Sequence, residues 1–464
     1  MAKKRKRNSL ISNRQEGKRV TEKADAEFGL PSFADLPIDI TTNILLRLPI
    51  KSLLICKCVC KSWNTLVSDP QFAKLQFERA PVGVLIRTND PKRVSRTLRF
   101  VEYEHEMFDC YNHGKRFCCC EETNIIKPEC KRHIKLEPKF KLPLRDAKLV
   151  LTERYEIDNG GRKRTYIACK PRDDKFSVVN SCNGLLCLCD PRYRDPLVVS
   201  NPVTGEFIRL PPATRIEKMK NPIRAGFGFD PKTNEYKVLR ICRRYIKHPH
   251  HVREWMYDGI FAEMHTLGTS TWKNIGGDLE RFSNVLTFPT CVNGALHWLT
   301  FDVWDWARSI LCFNFESERL QPFPPPPVFK ENGCSIEYTS MGELKGLLYI
   351  CDASSYDYVK MWEMKKYGVG ESWSMVFCIG ALFGRWPYGL YWPVKLFKGG
   401  DVLMYHPFNC FIYYEHKKCG FKYFKVRGTT QSYKFEAIPH IPSLISLKDV
   451  VKGENVEMLN VHSR

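Results

Sequence analysis

Thiols grouped with imidazoles are the first candidates for chemistry in this 464-residue chain. Cys110-x-x-His113 and Cys130-x-x-His133 supply two sulfur and two nitrogen donors, the set that holds tetrahedral zinc, with Cys118, Cys119 and Cys120 between them. Their spacing fits no zinc module, and no Cys-x-x-Cys pair occurs among the twenty cysteines. Zinc ribbons and thioredoxin-like redox chemistry are therefore not expected, and these thiols read as incidental loop residues. His248, His250 and His251 stand beside Arg253 in a basic stretch that reads as an exposed loop rather than a proton-transfer or metal site. Gly226-Phe227-Gly228 lacks the third glycine of a nucleotide loop. A nucleophile elbow, a His-Glu-x-x-His helix and a phosphate-binding loop are all missing. The expectation is a protein without catalytic residues, metal or cofactor. Trp304 and Trp306, which flank Asp305, are instead candidate hot spots for holding another protein.

Charge points to partners. The formal net charge is +21. Residues 1–23 carry nine Lys/Arg against Glu16 and Glu22, and residues 91–172 carry twenty against twelve acids. The second stretch reads mainly as solvated surface. Lys3, Lys4, Arg5, Lys6 and Arg7 form a compact, acid-free run whose self-repulsion keeps it extended, as a nuclear-import signal requires. That reading expects the nucleus, with the cytoplasm as a further compartment. With no apolar run of about 18 residues, no membrane span is expected. A nucleic-acid-binding protein is the alternative that the charge and interleaved aromatics leave open; it would bind with steep salt dependence.

These residues need elements to position them. A basic tail is expected over 1–30, a helical unit over 31–80, a basic Cys-rich segment over 81–170 that supplies a first blade plus an insertion, a β domain over 171–445, and a C-terminal tail over 446–464. In the helical unit, Pro37 suits a first helical position, and Ile40, Ile44, Leu45 and Leu48 recur at helical spacing until Pro49 stops them. Further helices are predicted at about 51–58 and 60–68, and a last one begins at Pro70 with Asp69 as its cap. Such a unit carries more apolar side chains than a core of that size can bury. The surplus either faces a partner or packs on the rest of the chain.

Beyond residue 81 the pattern changes to short β-branched and aromatic runs between turns. Asn183-Gly184-Leu185-Leu186 matches Asn293-Gly294-Ala295-Leu296 and Lys345-Gly346-Leu347-Leu348, and more weakly Gly400-Asp401-Val402-Leu403. Ser270-Thr271-Trp272-Lys273 matches Glu371-Ser372-Trp373-Ser374. A repeat of about 50 residues built from strands, a glycine turn and a later Trp has the size of a propeller blade. The fold class expected is α+β multidomain: a small all-α unit followed by an all-β, kelch-like β-propeller. Pro324–Pro327 reads as a stiff connection between strands.

Leu36-Pro37-x-Asp39-Ile40, Ile44-Leu45-x-Arg47-Leu48-Pro49, Lys51-Ser52-Leu53, Cys58-Val59-Cys60-Lys61-x-Trp63 and Ser68-Asp69-Pro70-x-Phe72 stand in the order and spacing of the F-box, and the helical unit resembles that family, most closely its plant class. Ser181-Cys182-Asn183-Gly184, Asn201-Pro202-Val203-Thr204-Gly205 and Gly226-Phe227-Gly228-Phe229-Asp230-Pro231 are similar to the F-box-associated domain that follows it. The resemblance implies docking onto a Skp-type adaptor and, through it, cullin and RING subunits, with an unknown target protein held by the β domain. It implies that Leu36, Pro37, Ile40, Ile44, Leu48, Pro49, Leu53, Val59 and Trp63 form or support the adaptor interface. The protein would be the non-catalytic substrate receptor of a ubiquitin ligase.

Overall fold

The computed structural model describes residues 36–88, 97–101, 139–143, 150–157, 163–170, 176–191, 193–214, 223–247, 255–276, 289–302, 307–330, 336–355, 357–380, 390–397, 399–406, 410–418, 420–425, 435–451 and 456–458. Lys3–Arg7, the Cys110–His133 cluster, the His248–His251 group, Trp304 and Trp306 lie outside them.

Four short helices come first: α1 (Ile38–Leu45), α2 (Ile50–Cys56), α3 (Lys61–Val67) and α4 (Pro70–Arg79). Pro37 caps α1 instead of opening it, and Pro49 likewise caps α2, since each lacks an amide hydrogen and holds an extended ψ. The Asp69 carboxylate accepts from the amides of Gln71 at 2.8 Å and Phe72 at 3.1 Å, satisfying two donors that the first turn of α4 leaves unpaired.

The strands follow. They are β1 (Gly83–Thr88), β2 (Thr97–Val101) and β3 (Lys139–Lys141); a separate hairpin β4 (Val150–Ile157) and β5 (Lys163–Lys170); then β6 (Ser177–Cys182), β7 (Leu185–Cys189), β8 (Pro196–Ser200) and β9 (Glu206–Arg209). Next come β10 (Arg224–Asp230), β11 (Glu235–Lys247), β12 (Trp255–Thr266) and β13 (Lys273–Asn274), then β14 (Thr290–Val292), β15 (Ala295–Asp302), β16 (Ala307–Asn314) and β17 (Arg319–Phe323). The last are β18 (Thr339–Leu344), β19 (Leu347–Asp352), β20 (Tyr358–Met364) and β21 (Trp373–Gly380), then β22 (Trp392–Leu396), β23 (Val402–His406), β24 (Cys410–Glu415) and β25 (Gly420–Lys425), and finally β26 (Phe435–His440), helix α5 (Leu447–Val451) and β27 (Glu457–Met458).

They form six antiparallel blades in a ring. Blade one takes β1–β3 from the start of the chain and its innermost strand, β26, from the end, paired from Gly83↔His440 to Thr88↔Phe435. The first blade therefore opens at Gly83. A two-ended blade closes the ring, because opening it requires breaking a full strand pairing. The expected C-terminal tail is also part of the fold where it is described. Strand β27 adds to β9, and Leu447 and Val451 are buried against blades two and three. The Asn201 side-chain amide donates to the carbonyls of Ser443 (3.0 Å) and Ile445 (2.8 Å), and the Glu206 carboxylate accepts from the Ser446 hydroxyl and the Leu447 amide.

The repeated sequence motifs mark equivalent places in successive blades. Asn183-Gly184, Asn293-Gly294 and Lys345-Gly346 are two-residue hairpin turns between the first and second strands, with positive φ at both positions, the geometry that matches strand twist. Blade three uses Asp230-Pro231-Lys232-Thr233-Asn234 instead, with Asn234 at φ 56, so the glycine motif skips this blade between Gly184 and Gly294. Trp272 and Trp373 stand at the fourth strand of their blades. Each indole donates to a proline carbonyl just past the outer strand of the preceding blade, Pro211 at 2.9 Å and Pro324 at 3.0 Å. The polyproline stretch is thus a connection between strands that also receives a neighbour's Trp.

Buried cations bridge the same two pairs of blades. Arg240 of blade three is bonded to Asp195 of blade two at 2.7 Å and to Glu263, and Arg308 of blade four meets Thr339 (2.8 Å) and Asp352 (3.2 Å) of blade five. Among the described residues no helix is long and apolar enough to cross a membrane.

Two buried imidazoles contribute to acid sensitivity. Burial holds His297 down to about 4 and His440 down to about 3, from an ordinary value of 6.5. Both are neutral in the fold, while the unfolded chain protonates them below about pH 6.5. Stability present above that value is lost as pH falls, by about 2 kcal/mol per histidine at pH 5. Asp195 and Glu343, whose carboxyls burial raises, act in the opposite sense, so a paired comparison is needed. Urea titrations between pH 6.5 and 5 should show H297Q losing about one proton of slope relative to the native chain.

Candidate functional site

The helices bury one set of apolar side chains and present another. Leu45, Leu46, Ile50, Leu53, Cys56, Val67, Phe72 and Ala73 join Leu85, Phe100, Leu186, Val203 and Leu444 of the propeller in one continuous apolar cluster. Only residues 80–82 separate α4 from β1, so the helical unit is seated on the ring rather than tethered to it. It sits at the Gly83 end of β1, the side that also carries the first-to-second-strand turns of the other blades. The second-to-third-strand hairpins and the connections between blades lie on the opposite side.

On the outer face of the helices, Ile38 is 68 % exposed, Ile40 49 %, Ile44 40 %, Ile55 58 % and Val59 59 %. Pro37 and Pro49 are exposed, and Leu36 and Leu48 are half-buried beside them. Among them, the Thr42 hydroxyl donates to the Ile38 carbonyl at 2.7 Å and the Asn43 amide to the Asp39 carbonyl at 3.1 Å, so both are partly satisfied by the helix's own backbone. Arg47, Lys51 and Lys61 are exposed and rim it. Several exposed apolar side chains inside a charged rim have the anatomy of a protein interface.

The nine residues implied by resemblance divide. Leu36, Pro37, Ile40, Ile44, Leu48, Pro49 and Val59 are at least partly exposed on the unit. Leu53, at 0 % exposure, offers a partner no area and belongs to the core beneath, and half-buried Trp63 packs against the same core. Ile38 and Ile55 are exposed residues that the motif comparison passed over. The buried positions of α2, Ile50, Leu53 and Cys56, put Ile55 on the far side of the helix, so a helical wheel drawn on them would have found it. Leu53→Ala should lower stability by about 2–5 kcal/mol, the range for a truncated core leucine, read as a fall in the urea midpoint.

For target capture, Trp304 and Trp306 carry no structural account, and Trp298 is fully buried in blade four. Among the described residues no group of three or more His, Cys, Asp and Glu side chains could hold a metal ion.

A helical unit with an uncovered apolar face, fixed to a six-bladed ring, is the architecture of an F-box protein. Residues 33–75 match the F-box domain and residues 152–444 match the F-box associated beta propeller domain. The second match covers more than half of the chain, and the protein belongs to that family. Similar curated proteins from Arabidopsis thaliana include F-box protein At3g07870, 26% identical over 381 residues (78% of this chain, 77% of that protein). F-box/kelch-repeat protein At3g23880 is 25% identical over 75% of this chain and 80% of its own length. F-box/LRR-repeat protein At2g43260 is 23% identical over 90% and 84%. This combination of domains supports substrate recognition for a Skp–cullin–F-box ligase in general terms, since F-box domains typically bind Skp-type adaptors.

Proposed function

We propose that this protein is the substrate receptor of a Skp–cullin–F-box ubiquitin ligase and does no covalent chemistry itself. The apolar face running from Leu36 to Val59 binds a Skp-type adaptor, which links it to cullin and RING subunits. The propeller holds a target protein on the side away from the helices. The observation that carries this reading is the exposure of Ile38, Ile40, Ile44, Ile55 and Val59 on a unit that buries Leu45, Leu46, Ile50, Leu53, Val67 and Phe72 against the propeller. Because the helical unit and the ring share one core, a target held by the ring stays at a fixed distance from the adaptor. The contribution to ubiquitin transfer is proximity, which turns a bimolecular encounter into a nearly intramolecular one. Co-expression with a tagged Skp-type adaptor tests the first half. The native chain should co-purify in equal amount, and a variant with Leu36 and Pro37 both changed to Ala should be depleted at least tenfold. Equal recovery of the two would remove the reading's support.

The run Lys3–Arg7 serves as the import signal. A reporter fused to residues 1–10 should accumulate in the nucleus, and changing the five cations to Ala should spread it evenly; a reporter that is cytoplasmic from the start refutes the assignment.

A further inference from the structure

Two thiols from non-adjacent blades meet beside the inner strand of the blade between them. Cys182 ends β6 of blade two, and Cys291 lies in β14 of blade four. Their sulfurs are 3.8 Å apart although the residues stand 109 positions apart in the chain, a separation that no short cysteine motif covers. Strand β10 of blade three brings them together. Tyr236, the partner of Phe229, gives its carbonyl to the Leu267 amide on the β12 side of β11, so Phe229 turns its own amide away from β11, toward the inner edge of the blade. Asn180 occupies that edge two residues earlier: its side chain donates to the Phe227 carbonyl at 2.7 Å and accepts from the Phe227 amide at 2.9 Å. Cys182 is two residues beyond Asn180 on the same face of β6, as Phe229 is two beyond Phe227, so the Cys182 sulfur comes to the Phe229 amide. Gly228 leaves room for the approach from the other side, since a Cβ there would lie 2.9 Å from the Cys291 sulfur.

The contact is polarised. The Cys182 thiol donates toward the Cys291 sulfur, and this bond, together with the Phe229 amide, holds the Cys291 thiol below its ordinary value against the opposing effect of burial. As the donor in that bond, and through burial, Cys182 keeps its proton. A thiolate is the form that oxidants attack. Both cysteines are free, and Cys291 is only half-buried, so a molecule of the size of hydrogen peroxide reaches its sulfur.

We infer that Cys182 and Cys291 are a modification site: peroxide converts them to a disulfide that staples blade two to blade four. The Cys291 sulfur attacks one peroxide oxygen; an S–O bond forms, the O–O bond breaks, and the departing hydroxide takes the Cys291 proton as water. The Cys182 sulfur then attacks the sulfenic sulfur; the S–S bond forms, the S–O bond breaks, and hydroxide leaves with the Cys182 proton as a second water. Two electrons pass from the sulfurs to the peroxide. A disulfide holds its sulfurs about 2.0 Å apart, so the pair closes by about 2 Å. A reducing compartment keeps both as thiols, and thiol exchange reverses the bond once the oxidant is gone. Because the crosslink closes a loop that contains all of blade three, it restricts the unfolded chain and stabilises the ring.

The test uses the full chain treated with hydrogen peroxide, quenched in denaturant with N-ethylmaleimide and mapped by tryptic mass spectrometry. Fragmentation places the bond, since Cys187 and Cys189 share a peptide with Cys182. The Cys182 and Cys291 peptides should appear joined, two hydrogens lighter than the separate pair, until a reductant parts them, while buried Cys242 and Cys351 are alkylated in full. With C182S, Cys291 has no resolving thiol and should go on to the sulfinic acid, two oxygens heavier. The oxidised native chain should melt about 5 °C above its reduced form, and peroxide should bring C182S no such gain. Full alkylation of both cysteines after peroxide, a bond from either to another cysteine, or an oxidised chain that melts no higher than the reduced one would overturn the inference.

Discussion

Replacing Ile40 and Ile44 together by Asp should weaken binding to a Skp-type adaptor by about 1,000-fold while leaving the melting temperature of the free chain within about 2 °C of native. Each isoleucine that a partner fully covers contributes about 1.5–3 kcal/mol. A carboxylate in its place adds a desolvation cost, so a combined loss near 4 kcal/mol is a conservative figure, and 1.4 kcal/mol is tenfold in affinity. Stability should hold because these side chains, 49 % and 40 % exposed, give little to the chain's own core. Leu45, one residue further along α1 and 1 % exposed, provides the control. Leu45→Asp should unfold the helical unit and lose binding by a different route, visible as a fall in thermal stability. Titration calorimetry for affinity and scanning calorimetry for stability separate the two.

Shortening the chain should have the second large effect. A protein ending at residue 434 loses β26, which is the inner strand of blade one and pairs with β1 along its whole length. Strand β1 then presents an open edge, Val84 and Ile86 lose cover, and the ring has no closing contact to blade two. This chain should be insoluble or should unfold without a cooperative transition. A protein ending at residue 440 keeps the strand but loses the segment that crosses blade two. Leu447 and Val451 are no longer buried, and the Asn201 amide and Glu206 carboxylate lose their partners. Two apolar side chains and several hydrogen bonds amount to about 5 kcal/mol, so this form should fold with a clearly lower urea midpoint. If both truncated proteins unfold like the full chain, the closure described here does not hold the ring.

How far these features were legible from the residues depended on how local their causes are. The helices were readable because prolines at 37, 49 and 70 and the Asp69 cap act within one turn. The blades were readable because a two-residue turn with positive φ at both positions admits few residue types, and Asn-Gly recurs where it is needed. Blade one was obscure: its inner strand is supplied from residues 435–440, more than 300 positions from its neighbour, and no local pattern announces such a pairing. The same distance hid the role of the C-terminal segment, whose polar residues Ser443 and Ser446 look like a tail until Asn201 and Glu206 are brought beside them. At the candidate surface, helical spacing separated inside from outside for Ile40 and Ile44, whereas Leu53 is buried because the propeller stands beneath α2, which the helical unit alone does not reveal.

Size-exclusion chromatography with light scattering, on the full chain mixed with a purified Skp-type adaptor, bears most directly on whether the uncovered helical face is a docking surface. A single species with the mass of one copy of each, formed by the native chain and absent with Ile40 and Ile44 changed to Asp, is the outcome expected. Two separate peaks at micromolar concentrations, or a complex that survives both substitutions, would contradict it.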